Sequence, residues 1–418
     1  MRPSLLSPLL PTALALACAG AASAQTTTLT VASFPNFDEH VKAAIPLFKK
    51  VRPDVEIKLV SLQIADHHNA MTTALATGSN LPDVMGIEIG YLGKFAESGG
   101  LEDLAKPPYN ALQYRDQFYK FTYPQAMSKG GSLSAMPADV GPGALFYRKD
   151  LMDKAGVTEA QMTQSWESFI DAGKTVKAKT GAYMLPHANA LMGIYIRSNL
   201  KDGEGLFFGK NNQVLVNTPR FQKAFELAKA ARTAGIDGKV NAWTNEWAEG
   251  FKRGAVATEM MGGWLAGHLA SWLAPDTKGQ WRSASLPNGA FAAWGGSYYG
   301  IPKKNSEAQK KLAWEFVRFM TLNKEMQIES LRKADSFPAL IAATSDPFID
   351  QPIEFLGGQK ARQQWRAAAA RIPALEVNKL DPIAQAAVTA ELDKVLDQNK
   401  DIKKALADAK LAIERRIR

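Results

Sequence analysis

The chain has 418 residues, 46% of them hydrophobic, with 50 Lys and Arg against 41 Asp and Glu and a single cysteine. That length exceeds one ordinary domain, so two lobes are expected, and the lone cysteine excludes a disulfide framework. The formal charge of +9 is interleaved with acids, as in Asp393 to Arg418, which reads as solvated helix faces and not as a nucleic-acid surface.

Arg2 precedes an apolar run, Leu5 to Leu16, that Pro8 and Pro11 interrupt, and Ala22-Ser23-Ala24 ends it as a small-x-small site. Residues 1–24 therefore read as an export signal with a mature start near Gln25. The run is too short to span a bilayer, and its prolines oppose a buried helix. Cys18 lies inside this leader. It is an alternative lipid-anchoring site, although Ala15-Leu16-Ala17 lacks a leucine three residues before it. Cleavage after Ala24 leaves a mature chain with no thiolate nucleophile and no cysteine-ligated metal.

Thr27 to Ser33 alternates and is rich in β-formers, predicting a first strand. Val41, Ala44, Ile45 and Phe48 recur at the spacing of one helical face, with Pro46 expected to kink that helix or shift its start. Val55 to Val60 reads as a second strand, and Ala65 to Thr77 as a helix ended by Gly78. Asp83 to Gly86 is a short third strand, with Tyr91 to Ser98 helical. Phe146 and Tyr147 lie in a strand before Lys149-Asp150. Ser165 caps a helix from Trp166 to about Lys179, and Thr218 with Pro219 starts another that runs to about Ala234. Ser306 and Gln309 form a capping box, and the helix behind it presents Ala308, Leu312, Phe316 and Phe319 on one face. From Pro352 onward the chain is almost all helical. Strands alternating with helices predict an α/β fold with largely parallel sheets covered on both faces.

Most enzyme signatures are absent. Gly295-Gly296-Ser297-Tyr298-Tyr299 approaches a nucleophile elbow but ends in Tyr. No phosphate loop occurs, and Gly203-Glu204-Gly205 is not followed by the spacing of a dinucleotide fingerprint. Of His40, His67, His68, His187 and His268, no two stand i, i+4 on a helix, so no metal site is expected and no cofactor is called for. A glycosidase needs two carboxylates across a cleft. Asp139, Glu88, Glu39 and Glu246 are available, but sequence does not pair them, so a secreted hydrolase or lyase stays open.

Six of the nine tryptophans fall between Trp243 and Trp294: Trp243, Trp247, Trp264, Trp272, Trp281 and Trp294, with Tyr298 and Tyr299 just beyond. Flat rings suit sugars because a pyranose has an apolar C–H face, while neighbouring carboxylates and amides bond its hydroxyls. Tryptophan on an amphipathic segment is also a core residue, and about half of the six are expected to be structural. Trp272 and Trp281 are the candidates for core or lobe edge. Trp166 and Trp314 sit in helices as packing residues. Met260 to Trp264 reads as a strand entering a glycine turn, with Leu265 to Leu273 helical. Ligands bind at such strand ends, and glycines there let a ligand approach the backbone. Asp139, among Pro137, Gly141, Pro142 and Gly143, reads as a hydroxyl acceptor in a turn between two strand-like runs, or as an ordinary turn aspartate.

Several short motifs recur together in order. Ala76-Thr77-Gly78 stands with Leu81-Pro82-Asp83-Val84, and Leu145-Phe146-Tyr147-Arg148-Lys149-Asp150-Leu151 follows. Ser165-Trp166-Glu167-Ser168-Phe169 comes next, then Phe251-Lys252-Arg253-Gly254 with Gly263-Trp264, and Ala313-Trp314-Glu315-Phe316. In this order and spacing, over nearly the whole mature chain, the sequence resembles the family 1 extracellular solute-binding proteins, the group that includes maltose-binding protein. The resemblance implies two α/β lobes on a hinge, a sugar held in the cleft, no catalysis, and delivery to ABC-importer permease subunits by a periplasmic monomer. It divides the chain into residues 25–138 plus 296–340 for the N-lobe, and 139–295 plus 341–418 for the C-lobe. Carried over by position, the ligand-facing residues are Asn36, Asp38, Glu39, Glu88, Tyr91, Asp139, Trp243, Trp247, Trp264, Trp294 and Tyr298. Gly141 departs from the family, which has a glutamate after the first crossing in maltose-binding protein, and the tryptophans do not match its sugar subsites one for one. Binding proteins for peptides, polyamines or ferric ion share the broad fold. A polyamine site calls for a more acidic cleft, and an iron site for more clustered tyrosines than Tyr298-Tyr299.

Overall fold

The computed structural model describes residues 26–417; the leader read over 1–24, with Cys18, lies outside them. The first strand, β1 (Thr27–Ser33), is followed by α1 (Phe37–Val51), β2 (Val55–Ser61), α2 (Ile64–Thr77), β3 (Val84–Glu88) and α3 (Ile89–Ala96). Gly78 closes α2 in the left-handed conformation at φ +80°, which glycine adopts without a Cβ penalty. Pro46 does not break α1. The helix runs through it and buries Val41, Ala44 and Phe48, while Ile45, expected on the same face, is 37% exposed.

The remaining strands are β4 (Met136–Arg148), β5 (Glu204–Gly205), β6 (Thr258–Gly262), β7 (Trp281–Ala284), β8 (Ala293–Gly300), β9 (Phe337–Pro338) and β10 (Leu375–Glu376). The main sheet runs β2-β1-β3-β8-β4-β6, with β7 and β9 also on β4. The expected parallel pairing holds for β1 with β2 and with β3. Where β8 and β4 enter, the pairs are antiparallel, so the sheet is mixed.

β4 is the spine of the molecule. Its 13 residues are all buried. Its first half pairs with β8 and β9, and its second half with β6 and β7. The sequence reading placed Asp139 in a turn, and the structure corrects this: Asp139 is inside β4. The Pro and Gly residues that suggest a turn instead mark two register shifts against β8, between Pro137 and Asp139 and between Val140 and Pro142. Bulges and prolines of this kind bend a strand without ending it.

Two hydrophobic clusters flank β4. One gathers Val31, Val84, Ile87, Phe95, Tyr299 and Phe316 and extends to Trp247, Trp281 and Trp365. The other gathers Leu145, Phe169, Ile194, Phe221 and Met260 with Val388 and Leu406 from the C-terminal helices. Capping boxes at Ser165 and Ser306 start the helices Trp166–Thr180 and Glu307–Leu322 as their sequences predict. The second of these buries Leu312, Ala313, Phe316, Val317 and Met320; Ala308, expected on that face, is exposed and Phe319 half-buried. Among the described residues no helix is long and apolar enough to cross a membrane.

Candidate functional site

β6 ends in Gly262, and the chain turns through Gly263 into the short helix Leu265–His268. That turn projects Trp264 half-buried beside β4 and β8, and its indole Nε1 donates to the Trp294 carbonyl at 2.8 Å. Gly141 and Gly295 each lack the Cβ that would meet this indole nitrogen, at 3.0 and 2.6 Å. Of the two glycines read as openings for a ligand, Gly262 also seats the edge of Trp264, and Gly263 faces the Trp365 ring.

Trp243 lies over Trp264, with ring centres 5.9 Å apart and planes 24° from parallel. It is 55% exposed and takes a positive φ of 69°, a strained backbone for an aromatic residue. His268 packs edge-on against both rings, at 5.6 and 5.4 Å. Its Nδ1 accepts from Trp272 Nε1 at 2.9 Å. An indole N–H only donates, so the neutral ring carries its proton on Nε2. That nitrogen lies 2.9 Å from the side-chain amide of Asn36, in the loop after β1, which accepts this proton with the amide turned to present Oδ1. Burial among the indoles pulls His268 down to about 4, which keeps it neutral.

Trp294 is half-buried at the start of β8. Its ring reaches Gly193, where a Cβ would meet it at 3.0 Å, and the guanidinium of Arg197 stands 4.4 Å from its centre. Glu88 ends β3 opposite Ser297 of β8. It caps α3 by accepting from Gly90 N at 2.7 Å, and Tyr91 on that helix stacks on His68 at 3.9 Å. Burial pushes the Glu88 carboxyl up to about 7, against the pull of Arg197. Burial likewise raises Asp139 to about 7, with the Ser297 bonds opposing and Glu88 adding to the rise. His40, pulled down to about 3 by burial, holds Nε2 3.7 Å from the Asp139 carboxylate.

The structure thus brings Asn36, Glu88, Asp139, Trp243, Trp264 and Trp294 around the junction of β4, β6 and β8. Trp247 and Tyr298 are corrected. Trp247 is fully buried, and its N–H donates to the buried Glu259 at 3.0 Å. Tyr298 is 1% exposed, and its hydroxyl donates to Gln125 at 2.6 Å. Both are core side chains, because an indole or phenol inside a lobe needs an internal partner for its polar end. Asp38 and Glu39 both bind Lys42 on the first turns of α1, at 3.2 and 2.6 Å. Trp281 is core, and Trp272 is 43% exposed at the edge of the aromatic group. A separate cavity of about 560 Å³, lined by Ile170, Lys174, Lys229 and Ile402, borders none of these residues. Among the described residues no cluster of His, Cys, Asp and Glu has the makings of a metal site.

Two site residues were missed from sequence. His268 stands four residues after Trp264 and four before Trp272, a Trp-His-Trp stripe at helical spacing that was legible. Arg197 is a lone charge ending an apolar helix, a weaker signal.

Residues 43–356 match the family model described as bacterial extracellular solute-binding protein. The chain belongs to this family. A lactose-binding protein of Rhizobium radiobacter is 28% identical over 395 residues, covering 91% of this chain and 90% of the relative. A solved structure of a family 1 extracellular solute-binding protein superposes with a TM-score of 0.81 at 22% identity, covering 93% of this chain and 99% of the other. A maltose-bound MalE3 of T. maritima superposes at 0.74 with 19% identity, covering 93% and 99%. The solute-binding protein accordingly has the two-lobed periplasmic-binding-protein fold.

Proposed function

We propose that this chain is the extracytoplasmic binding component of an ABC importer, that it takes a mono- or short oligosaccharide, and that it returns the sugar unaltered. One observation carries the reading: the part-open indoles Trp243, Trp264 and Trp294 gather at the junction of β4, β6 and β8, where Glu88 and Asp139 both stand opposite Ser297 of β8. A pyranose offers its C–H face to the rings and its hydroxyls to the carboxyls. The lactose-binding relative, matched along nearly its whole length, supports a sugar.

The lobes are residues 25–138 with 296–340 and residues 139–295 with 341–418. Glu88 and Asn36 belong to the first, Trp264, Trp294 and Arg197 to the second. A sugar touching both favours the closed form, because only that form makes every contact. The protein works as a periplasmic monomer that hands its cargo to permease subunits.

Two raised carboxyls in an aromatic site also fit a glycosidase. Glu88 and Asp139 are both raised mainly by burial, a shift that a buried hydroxyl acceptor shows as readily as a catalytic acid, so the fate of the sugar decides between the two readings. The test is a thermal-shift screen with lactose, maltose and arabino-oligosaccharides, followed by chromatography of the recovered ligand. A bound sugar raises Tm and returns intact. No shift with any sugar rejects the reading, and cleavage products replace it with the hydrolase.

A further inference from the structure

Asn36 stands at the start of α1, where an asparagine side chain ordinarily accepts from the backbone N–H groups of the first helical turn. Here it takes a φ of 70° and makes no such cap bond. Its amide lies instead 2.9 Å from Nε2 of His268, 232 residues later in the chain. His268 ends the short helix after β6, and the chain continues as a π turn over Leu269–Leu273, a rare form that recurs at functional sites. There Trp272 Nε1 reaches back to His268 Nδ1 at 2.9 Å.

These two contacts set the polarity of the whole chain of bonds. An indole N–H only donates, so Nδ1 accepts and the neutral ring carries its proton on Nε2. A protonated ring would set one donor against another. Nε2–H therefore donates to Asn36, and the amide offers Oδ1 to it, since partners of this kind decide which end of an amide points where. The NH2 end is left facing outward. Asn36 is exposed and makes no other side-chain hydrogen bond among the described residues. The ring that orients it also packs edge-on against Trp243 and Trp264, with centres at 5.6 and 5.4 Å. The two amide donors thus stand one side chain away from both stacked indoles.

Building on the sugar-binding reading, we infer that His268 is a positioning residue: held by Trp272, its Nε2–H turns the Asn36 amide so that the NH2 group donates to a hydroxyl oxygen of a saccharide on the indoles. Ionised carboxyls only accept from hydroxyls, so Asn36 supplies the opposite polarity. Without His268 the amide rotates freely and offers either end. Asn36 follows β1 and His268 follows β6, so the relay joins the two proposed lobes and orients the amide only when they are together. Closure therefore assembles this donor.

The experiment uses the mature chain. Nitrogen NMR of histidine-labelled protein, with the His268 signals assigned by their shift in Trp272→Phe, should show the Nε2–H form; the Nδ1–H form overturns the inference. Calorimetry uses whichever of lactose, maltose and arabinobiose raises Tm, with the monodeoxy analogues of that sugar. His268→Phe keeps a flat ring against Trp243 and Trp264 but loses both bonds. It and Asn36→Ala should each bind the sugar about 2- to 5-fold more weakly. The double variant should bind no more weakly than Asn36→Ala alone. At least one deoxy analogue should bind wild type about 2- to 5-fold more weakly than the parent sugar does, and this penalty should vanish in both single variants. Trp272→Phe, at an exposed edge, should shrink the same penalty by freeing the tautomer, and it carries the test if His268→Phe fails to fold. Wild-type affinity in His268→Phe and Trp272→Phe overturns the inference while leaving sugar binding intact. So do additive losses in the double variant, or deoxy penalties that neither variant changes, which mark a purely structural contact. A wild type that binds none of the three sugars removes both the sugar reading and this one.

Discussion

Trp247 and Trp264 come from one tryptophan-rich stretch, yet they have opposite surroundings. Trp247 is on the helix Asn245–Lys252, fully buried, with its N–H bonded to Glu259. Trp264 follows a strand end, half-buried, with its N–H on the Trp294 carbonyl and Trp243 over its ring. The first ring is sealed in a hydrophobic cluster; the second sits at the junction of β4, β6 and β8. The difference teaches that an indole whose N–H is satisfied by a backbone carbonyl can leave part of its ring uncovered, whereas one bonded to a buried carboxyl is sealed with it.

Truncation breaks this comparison most directly. Trp247→Ala should cost about 3–5 kcal/mol of stability, from lost burial and the cavity left behind, and should strand the Glu259 carboxyl. Thermal melts check it, and a Tm near wild type would place Trp247 outside the core. Trp264→Ala should weaken sugar binding by about 1–3 kcal/mol in calorimetry. Unchanged affinity would remove that ring from the site. Trp243 is the most exposed of the three cleft indoles, so Trp243→Ala should lose only about 0.5–1.5 kcal/mol of affinity and leave Tm nearly unmoved.

The carboxyls sharpen the same contrast. Burial raises folded Asp139 from the usual 3.8 to about 7. The folded state therefore holds this proton more tightly than the unfolded chain does. The stability it contributes is fully present below about pH 4 and is lost as pH rises through 7. Asp139→Asn should melt above wild type at pH 8, with the gap closing as pH falls toward 4. A gap independent of pH would show that Asp139 is not buried as a neutral acid. The smallest effect is expected at the contact between Asn36 and His268. Asn36→Ala should change affinity by about 1 kcal/mol or less while opening the ligand-free protein, as measured by small-angle scattering.

Much of this fold was legible. The strand Thr27–Ser33 and the helix closed by Gly78 follow from alternation and from a glycine φ that other residues resist. The helix after Ser306 follows from its capping box. The site was less legible, and particular residues show why. Asp139 sits among Gly and Pro that signal a turn locally, but β8 and β9 pair on either side of it and hold the segment as strand. Trp247 and Trp243 are four residues apart, which on sequence alone suggests a shared face. Their rings do meet, 5.0 Å apart, but a positive φ at Trp243, just before the helix begins, leaves that ring 55% exposed while Trp247 is fully buried. Arg197 offers no motif at all, and its contact with the Trp294 ring, nearly a hundred residues later, exists only in the fold.

The sequence by itself determined the α/β class, the helix and strand starts, the family, and the concentration of indoles in one stretch. Those properties rest on local periodicity, capping and composition, which act within a few turns of chain. Only the tertiary structure decided which indoles stay part-open, that Asp139 and Glu88 both stand opposite Ser297, and that the Trp294 ring lies on Arg197. Each of those depends on residues far apart in the chain, brought together by the pairing of β3, β4 and β8.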